Sequence, residues 1–303
     1  IILTSPTSRK TLARTLKERE PEVDWDKVLE QMCLSVLQDF RAGFPVVQID
    51  GQIDLAVQEK WLIEPLVQLR NPTLIYGPGS VGKSWVGLYL AVLADEGMSH
   101  GELTVEPCSV LFLDWETDQT EIGIRVTMLR KGLGLEGGKS HIWYKSMNQG
   151  LSNDIEAIRG VVVEKSIDLI IVDSLGSACM GEPESAEVVL RTFNALRSLG
   201  VSSVCIDHTN KENILFGSVY KYNSARQVFE CKKDQQPEED KLRLGLFHRK
   251  ANNSKLREPL GFELGFGENK VTVARGPVRG TALEVNLPVL DRHMNALRTR
   301  SLT

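Results

Sequence analysis

The sequence predicts an α/β fold with a twisted, mostly parallel sheet and helices on both of its faces. Short apolar segments recur between segments that have helical periodicity. The apolar residues in them run on without alternation, which is typical of parallel strands buried on both faces. After about residue 215 the strand-like segments follow one another without helices between them, which predicts antiparallel strands at the carboxyl-terminal edge of the sheet.

The parallel part of the sheet is predicted from a regular alternation of strands and helices. The predicted strands are residues 72–76, 109–114, 141–145, 168–173 and 202–207, and the helices between them are 83–94, 120–131, 154–164 and 184–199. The later strands are predicted at 225–232, 241–249, 260–266 and 270–274, with a hairpin turn at 267–269. Together these elements define a core domain over residues 66–278.

Both ends of the chain differ from this core. Residues 1–65 predict a small helical amino-terminal extension. Asp24 is a candidate N-cap for a helix that ends near residue 42, and residues 54–64 predict a second short helix. Such a segment is too small for an independent core. Residues 279–303 read as a carboxyl-terminal linker or tail that enters a helix at 291–298.

Composition places the chain among ordinary globular proteins. Of its 303 residues 42% are hydrophobic and 25% are charged, and the net charge of −4 gives no general attraction to nucleic acid. We find no run of 18 apolar residues and no signal peptide, so we expect a cytoplasmic protein that does not cross a membrane. The dispersed cysteines predict reduced, mostly buried thiols; they are Cys33, Cys108, Cys179, Cys205 and Cys231.

A phosphate-binding loop of the Walker A type lies between the first predicted strand and the helix at 83–94. Residues 77–84 match the pattern G-x-x-x-x-G-K-[ST] completely. The glycines let backbone N–H groups turn toward a phosphate, and the helix amino terminus adds a favourable dipole. The candidate ATP-binding residues are Gly77, Pro78, Gly79, Ser80, Val81, Gly82, Lys83, Ser84 and Trp85.

Two residues are candidates for holding Mg²⁺. The Ser84 hydroxyl is the metal-facing group of the loop pattern. Asp173 closes the apolar strand 168–173, where a phosphate loop has a carboxylate that holds Mg²⁺. An aspartate at the end of a strand also serves as a helix cap, and the sequence leaves both roles open for Asp173.

Glu116 is the candidate for orienting the attacking water. It follows the strand 109–114, and the carboxyl ends of parallel strands line the nucleotide crevice. Asp114 and Asp118 are rivals, and a solvated loop acid is the alternative interpretation of Glu116. His208 directly follows the strand 202–207, where a polar side chain can respond to the γ-phosphate; a structural histidine is the alternative.

These segments together resemble the RecA-like P-loop ATPases of the RepA/KaiC branch, AAA-family proteins that include hexameric plasmid replicative helicases. The resemblance covers about residues 60–275, and the matching segments are 76–84, 111–116, 170–174, 206–211, 217–226 and 249–253. It implies a RecA-like core with Glu116 as the catalytic glutamate and His208 as a sensor of nucleotide state. It also implies a homo-oligomeric ring, such as a hexamer, or a filament with ATP between subunits, in which Arg226 and Lys250 reach the neighbour's nucleotide. The alternative for each of these two is a surface cation on a strand.

Contact with single-stranded DNA is expected at two loops of such a core, residues 176–185 and 211–222. The first is acidic, whereas the second carries basic and aromatic side chains suited to a single strand: Lys211, Phe216, Tyr220, Lys221 and Tyr222. The aromatic residues fit packing on the sheet edge equally well.

The function expected from the sequence is therefore a Mg²⁺-dependent ATPase of a ring or filament, coupled to DNA in replication, recombination or mobile-element maintenance. The alternatives are a KaiC-like regulatory or defence ATPase that moves no DNA, and a nucleotide-binding scaffold with negligible turnover.

Overall fold

The computed structural model describes residues 4–42, 48, 51, 60–182, 184–236, 238–252 and 254–287. The chain divides into two compact units, Ile1–Val57 and Gln58–Thr303. None of the described helices is long and apolar enough to cross a membrane. All five cysteines are free, and four of them are buried.

The first unit contains two helices, α1 (Pro6–Lys17) and α2 (Trp25–Ala42), which pack on each other. The Asp24 carboxylate accepts a hydrogen bond of 3.2 Å from the Lys27 N–H, which confirms the predicted N-cap. Leu29 and Cys33 of α2 are buried, as is Ala13 of α1.

The second unit is built on a nine-stranded sheet. Its strands are β3 (Pro72–Gly77), β5 (Val110–Asp114), β6 (Trp143–Ser146), β7 (Leu169–Asp173), β8 (Ser202–His208), β9 (Gln227–Asp234), β10 (Lys241–Ala251), β11 (Leu260–Phe266) and β12 (Val271–Arg275). Their order across the sheet is β12-β11-β10-β9-β3-β8-β7-β5-β6. All neighbours from β9 to β6 pair in parallel, whereas β9 to β12 pair antiparallel, as predicted for the carboxyl-terminal edge.

Helices cover both faces of this sheet, and each face has its own apolar core. The core on one face combines Ile171 of β7 with α3 (Lys83–Glu96) and α4 (Gln119–Gly132). The core on the other face combines Ile170 with α5 (Ile155–Glu164) and α7 (Ala186–Ser198). Alternate residues of each strand thus enter different cores, which explains the unbroken apolar runs. Two short helices, α6 (Leu175–Cys179) and α8 (Tyr220–Ser224), also lie in this unit.

The predicted helix at 54–64 is wrong over its last residues, whereas 54–59 lie outside the described part of the chain. Trp61–Glu64 forms strand β1, which pairs antiparallel with β2 (Val67–Gln68) and β4 (Thr104–Val105) in a small second sheet. Leu62 and Ile63 are buried there, and Pro65 cannot continue a helix.

Short helices account for the other differences. Helices α6 and α8 each occupy one turn of a segment that reads as loop in the sequence, because five residues are too few to show a 3.6-residue period. Near the end of the chain Ala282–Asn286 forms a 3₁₀-helix, and the helix predicted at 291–298 lies outside the described residues.

Candidate nucleotide-binding site

Four neighbouring parallel strands end together at one edge of the sheet. The register pairs Gly77 of β3 with His208 of β8, and Asp114 of β5 with Asp173 of β7. This edge also carries the amino terminus of α3 and the loop after β5, which hold the other predicted residues. The structure therefore brings together Lys83, Ser84, Glu116, Asp173 and His208.

The phosphate loop depends on glycine at two positions. Gly82 has φ of 95°, a conformation that favours glycine. A Cβ atom at Gly77 would lie 2.4 Å from the Cys231 carbonyl oxygen of β9, so no side chain fits there. Gly79 is exposed, and a Cβ atom there would meet nothing within 4 Å, so this part of the loop is open.

Lys83 is buried within its own loop. Its ammonium donates to the carbonyl oxygens of Gly77 at 2.9 Å and Pro78 at 2.7 Å, and lies 3.5 Å from His208 Nδ1. Burial lowers the pKa of Lys83, and the carboxylates of Asp173 and Glu116 oppose this effect. The lysine thus has negative neighbours but no direct carboxylate partner among the described residues.

Asp173 and Ser84 form a pair that fits a divalent cation. Asp173 is 5% exposed, and its Oδ1 is buried without a hydrogen-bond partner among the described residues. Burial raises the pKa of Asp173 to about 6, while a hydrogen bond with Ser84 lowers it. Orphaned buried oxygens are costly, and a cation would compensate this one. Mg²⁺ is commonly bound by one or two protein groups together with substrate phosphates, so this small donor set suits it.

Glu116 lies beside His208 at the mouth of the loop. Its Oε1 is 3.3 Å from His208 Nε2. The pKa of Glu116 is lowered to about 2, mainly by the hydrogen bond from His208. Burial raises this pKa, whereas a hydrogen bond from Ser174 and the charge of Lys83 lower it further. The carboxylate is therefore ionised at neutral pH, and it is partly open to solvent.

Both rivals of Glu116 have structural roles. Asp114 is buried and accepts hydrogen bonds from the Glu116 N–H, the Thr117 N–H and hydroxyl, and the Tyr144 hydroxyl. Asp118 is the N-cap of α4 and accepts from the Thr120 and Glu121 N–H groups at 2.7 and 3.0 Å. Asp114 thus fixes the turn from which Glu116 projects.

A cleft of about 340 Å³ runs from the phosphate loop toward the antiparallel strands. Trp85 lines it, with Phe266 edge-on at 5.5 Å and the Arg125 guanidinium 5.4 Å from the Trp85 ring centroid. Sequence reasoning missed Arg125 and Phe266, since a helix-surface cation and a strand aromatic carry no motif. A larger groove of about 680 Å³ beside Arg257 and Leu260 contains none of the predicted site residues.

Arg226 and Lys250 lie at the opposite end of the sheet. The Arg226 N–H donates to the carbonyl of Pro72 at 2.8 Å. Pro72 is the first residue of β3, whereas the phosphate loop begins at Gly77, the last residue of the same strand. Lys250 lies at the end of β10 and donates to three backbone carbonyls. Neither Arg226 nor Lys250 therefore lies among the residues gathered at the phosphate loop of its own chain. Asn253, in the same matching segment as Lys250, lies outside the described residues.

The loop after β8 differs from the expectation in two side chains. Lys221 is 1% exposed, with its Nζ 2.8 Å from Asp207 Oδ2, and the Tyr222 hydroxyl donates to the Arg249 carbonyl. Phe216 and Tyr220 are exposed. Lys221 and Tyr222 are thus unavailable to a ligand on the loop surface, which leaves Lys211, Phe216 and Tyr220 of the five.

The Phe216 N–H donates to the His208 carbonyl at 3.0 Å, and Thr209 forms a β-bridge with Leu215. These backbone bonds close the loop directly onto the strand end that carries the His208 ring.

Comparison with known proteins relates this geometry to a family. A family model described as an AAA domain matches residues 39–213, more than half of the chain. The matched range includes the phosphate loop, Glu116, Asp173 and His208, whereas Arg226 and Lys250 lie beyond it. No curated protein matches the chain.

Among solved structures, the KaiC-like protein PH0186 from the hyperthermophilic archaeon Pyrococcus horikoshii OT3 aligns with a TM-score of 0.53 and 18% identity. The alignment covers 76% of this chain and 100% of that chain. At this identity the match shows a shared fold, which is the RecA-like arrangement of a mostly parallel sheet with helices on both faces.

Proposed function

This chain belongs to the AAA domain family, and we propose that it is a Mg²⁺-dependent ATPase that hydrolyses ATP between the subunits of a ring or filament. One observation carries the proposal: Lys83, Ser84, Glu116, Asp173 and His208 converge where four parallel strands end around an open phosphate loop. The proposed core is residues 66–278, with 1–65 as an extension and 279–303 as a tail.

Phosphate binding follows from the loop and the helix behind it. Backbone N–H groups at the start of α3 and the space at Gly79 receive the β-phosphate. Lys83 then exchanges its two carbonyl contacts for phosphate oxygens, a stronger partner for an ammonium group. Trp85 lies along the cleft as part of the nucleotide-binding wall.

Ser84 and Asp173 would hold the metal. When bound, Mg²⁺ neutralises charge that develops on the phosphate oxygens. The two residues fit because Asp173 has a buried oxygen without a partner among the described residues and Ser84 already contacts that carboxylate.

Glu116 orients the attacking water and accepts its proton. The carboxylate is ionised, partly solvent-exposed and held by His208. When a γ-phosphate draws the His208 N–H away from Glu116, the main cause of the low pKa is lost. The carboxylate then becomes a stronger base at the moment when substrate is present. His208 thus senses the nucleotide and times the base.

Arg226 completes the site of the neighbouring subunit, with Lys250 on the same surface. Arg226 lies at the far end of its own sheet, and its side chain has no ion-pair partner among the described residues. A guanidinium directed at the γ-phosphate stabilises transition-state charge and is worth roughly 10³–10⁵ in kcat in other P-loop enzymes. This arrangement requires a homo-oligomer with head-to-tail interfaces.

We further propose coupling to single-stranded DNA through the loop after β8. Exposed Phe216 and Tyr220 suit base stacking, Lys211 suits the phosphate backbone, and the loop is bonded directly to His208. The second candidate is a KaiC-like regulatory or defence ATPase that moves no DNA. The inward position of Lys221 and Tyr222, which removes two expected DNA contacts, favours it.

Turnover measured against protein concentration, with and without single-stranded DNA, tests these proposals. The interface site predicts that specific activity rises with concentration as subunits assemble. If single-stranded DNA stimulates turnover and Phe216→Ala abolishes that stimulation, DNA coupling is supported. If an active oligomer shows no stimulation by DNA, the regulatory ATPase is favoured. Equal activity per subunit at all concentrations in a monomer contradicts the interface site.

A further inference from the structure

The carboxyl end of α8 is bound by two cations just before Arg226. Lys250 Nζ donates to the carbonyl oxygens of Tyr222 at 2.9 Å, Asn223 at 2.8 Å and Ala225 at 2.7 Å. Arg197 of α7 donates to the Ser224 carbonyl at 2.8 Å. All four carbonyls of residues 222–225, which we call the α8 carbonyls, thus have a cationic donor. The last carbonyls of a helix lack partners within it, and cations there also complement its dipole.

The backbone on either side of the Arg226 side chain is fixed as well. The Arg226 N–H donates to the Pro72 carbonyl at 2.8 Å, and the Arg226 carbonyl accepts from the Asn252 N–H at 3.1 Å. The side chain itself is exposed and has no hydrogen bond or ion pair with the described residues. Hydrogen bonds therefore hold the main chain on both sides of the Arg226 Cα atom, while the side chain is exposed to solvent.

Electrostatics make this arrangement costly unless an anion approaches. Burial is the largest cause that lowers the pKa of Lys250, and the charges of Arg226 and Arg197 lower it further. Burial and Arg226 also lower the pKa of Arg197. Three cations thus lie near one another, and no carboxylate of the described residues contributes to these shifts.

We infer that Arg197 and Lys250 are positioning residues for Arg226: they bind the α8 carbonyls and fix the direction in which Arg226 reaches the nucleotide of a neighbouring subunit. The inference rests on the proposed interface ATPase. It assigns a role to Arg197, which no sequence motif marks. It also gives Lys250 a role different from that of a second cation on the γ-phosphate, because its ammonium already has three acceptors.

Subunit mixing tests this inference. Lys250→Met and Arg197→Met are each expected to lower turnover of the assembled protein about 10- to 100-fold, since a small misplacement of a catalytic group costs this much. Affinity of each variant for ATP should stay within about twofold of the parent, because the phosphate loop is untouched. Lys241→Met, at the other end of β10 on an exposed ion pair, is the matched control and should retain full turnover.

Each variant is then mixed with Glu116→Gln subunits, which supply an intact Arg226 but cannot hydrolyse. Mixed assemblies should regain activity, because the intact site of a Lys250→Met subunit meets an intact Arg226. Arg226→Ala subunits mixed in the same way report on the interface site itself. If Arg226→Ala regains activity but Lys250→Met does not, the positioning role is overturned; if neither does, the proposed interface ATPase fails as well.

A double variant separates positioning from direct contact with phosphate. In an Arg226→Ala background, Lys250→Met should cause no further loss of kcat, since it acts through the arginine. A further loss of tenfold or more would mean that Lys250 contacts the phosphate itself, which overturns the inference. Lys250→Arg keeps donors for the α8 carbonyls and should recover most of the turnover if Lys250→Met folds poorly.

Discussion

The imidazole of His208 bridges Glu116 and Lys83: its Nε2 lies 3.3 Å from Glu116 Oε1 and its Nδ1 lies 3.5 Å from Lys83 Nζ. A carboxylate accepts and an ammonium donates, so a neutral ring with its proton on Nε2 satisfies both contacts. A phosphate arriving beside Lys83 therefore meets the same ring that holds Glu116. The proposed base and the phosphate-binding lysine are linked through one side chain.

Replacing His208 by alanine should move the acidic limb of the kcat/KM profile, which reports the protein before ATP binds, to higher pH. The hydrogen bond from His208 is the main cause of the lowered pKa of Glu116, about 2, so its loss brings the pKa up toward the ordinary glutamate value. Because the folded-state pKa is depressed, the bond stabilises the fold above the ordinary glutamate range, and this contribution disappears as the pH falls toward 2. ATPase rates between about pH 4 and 8 provide the measurement; His141→Ala, at an exposed histidine, is the control. An unchanged acidic limb would contradict the assignment.

Replacing Glu116 by glutamine should reduce kcat by about 10²- to 10⁴-fold, the usual contribution of a general base, with ATP binding retained. Asp118→Asn is the matched control. It alters an N-cap of α4, where asparagine is also a good cap, so both turnover and stability should change little. Single-turnover rates and nucleotide binding distinguish the two variants. Full turnover in Glu116→Gln would exclude Glu116 as the base.

The common edge of these residues could be predicted from the sequence because the carboxyl ends of parallel strands always meet there. The surroundings of Glu116 could not: the turn bonds made by Asp114 depend on how the chain leaves β5, and three acids within five positions look alike in the sequence. Arg226 could be proposed only through the family resemblance. Arg197 escaped notice because its contact with α8 spans 27 residues of chain.

Asp173→Asn should stabilise the metal-free protein while weakening Mg²⁺-dependent turnover. Burial raises the pKa of Asp173 to about 6, so the ionised carboxylate destabilises the fold at neutral pH by about 3 kcal/mol, from about 1.4 kcal/mol for each pH unit above the ordinary value. This penalty is full above about pH 6 and declines as the pH falls from there toward about 4, where the unfolded chain is protonated too. Urea unfolding with EDTA measures this at about pH 7.5 and about pH 5. The free energy of unfolding of Asp173→Asn should exceed that of the parent by more at the higher pH.

Mg²⁺ provides the control for that measurement. In the parent protein with ATP, the metal should recover part of the penalty, whereas Asp173→Asn should gain less from it. Equal stability of parent and variant at the higher pH without metal would mean that Asp173 is better solvated or better paired than its unpartnered Oδ1 indicates.

Lys221→Met should destabilise the protein far more than an ordinary surface substitution. Lys221 and Asp207 are both 1% exposed and lie 2.8 Å apart, so removing the lysine leaves a buried carboxylate unpaired. Breaking such a pair costs about 3–5 kcal/mol, whereas an exposed pair is worth about 0–1 kcal/mol. Lys241→Met, whose partner is Glu263 on the surface, is therefore the matched control. The midpoint of urea unfolding measures both.

The double variant Asp207→Asn with Lys221→Met should recover most of the lost stability, because an amide is cheaper to bury than a charge. It should also recover turnover, since the asparagine side chain would keep an oxygen that accepts from the His208 N–H, as Asp207 Oδ1 does at 2.9 Å. Lys221→Met alone should lose turnover through displacement of the His208 backbone. If Lys221→Met unfolds at the same urea concentration as Lys241→Met, the pair is solvated and does not fix the end of β8. If the double variant is stable but inactive, the lysine charge itself serves the nucleotide site.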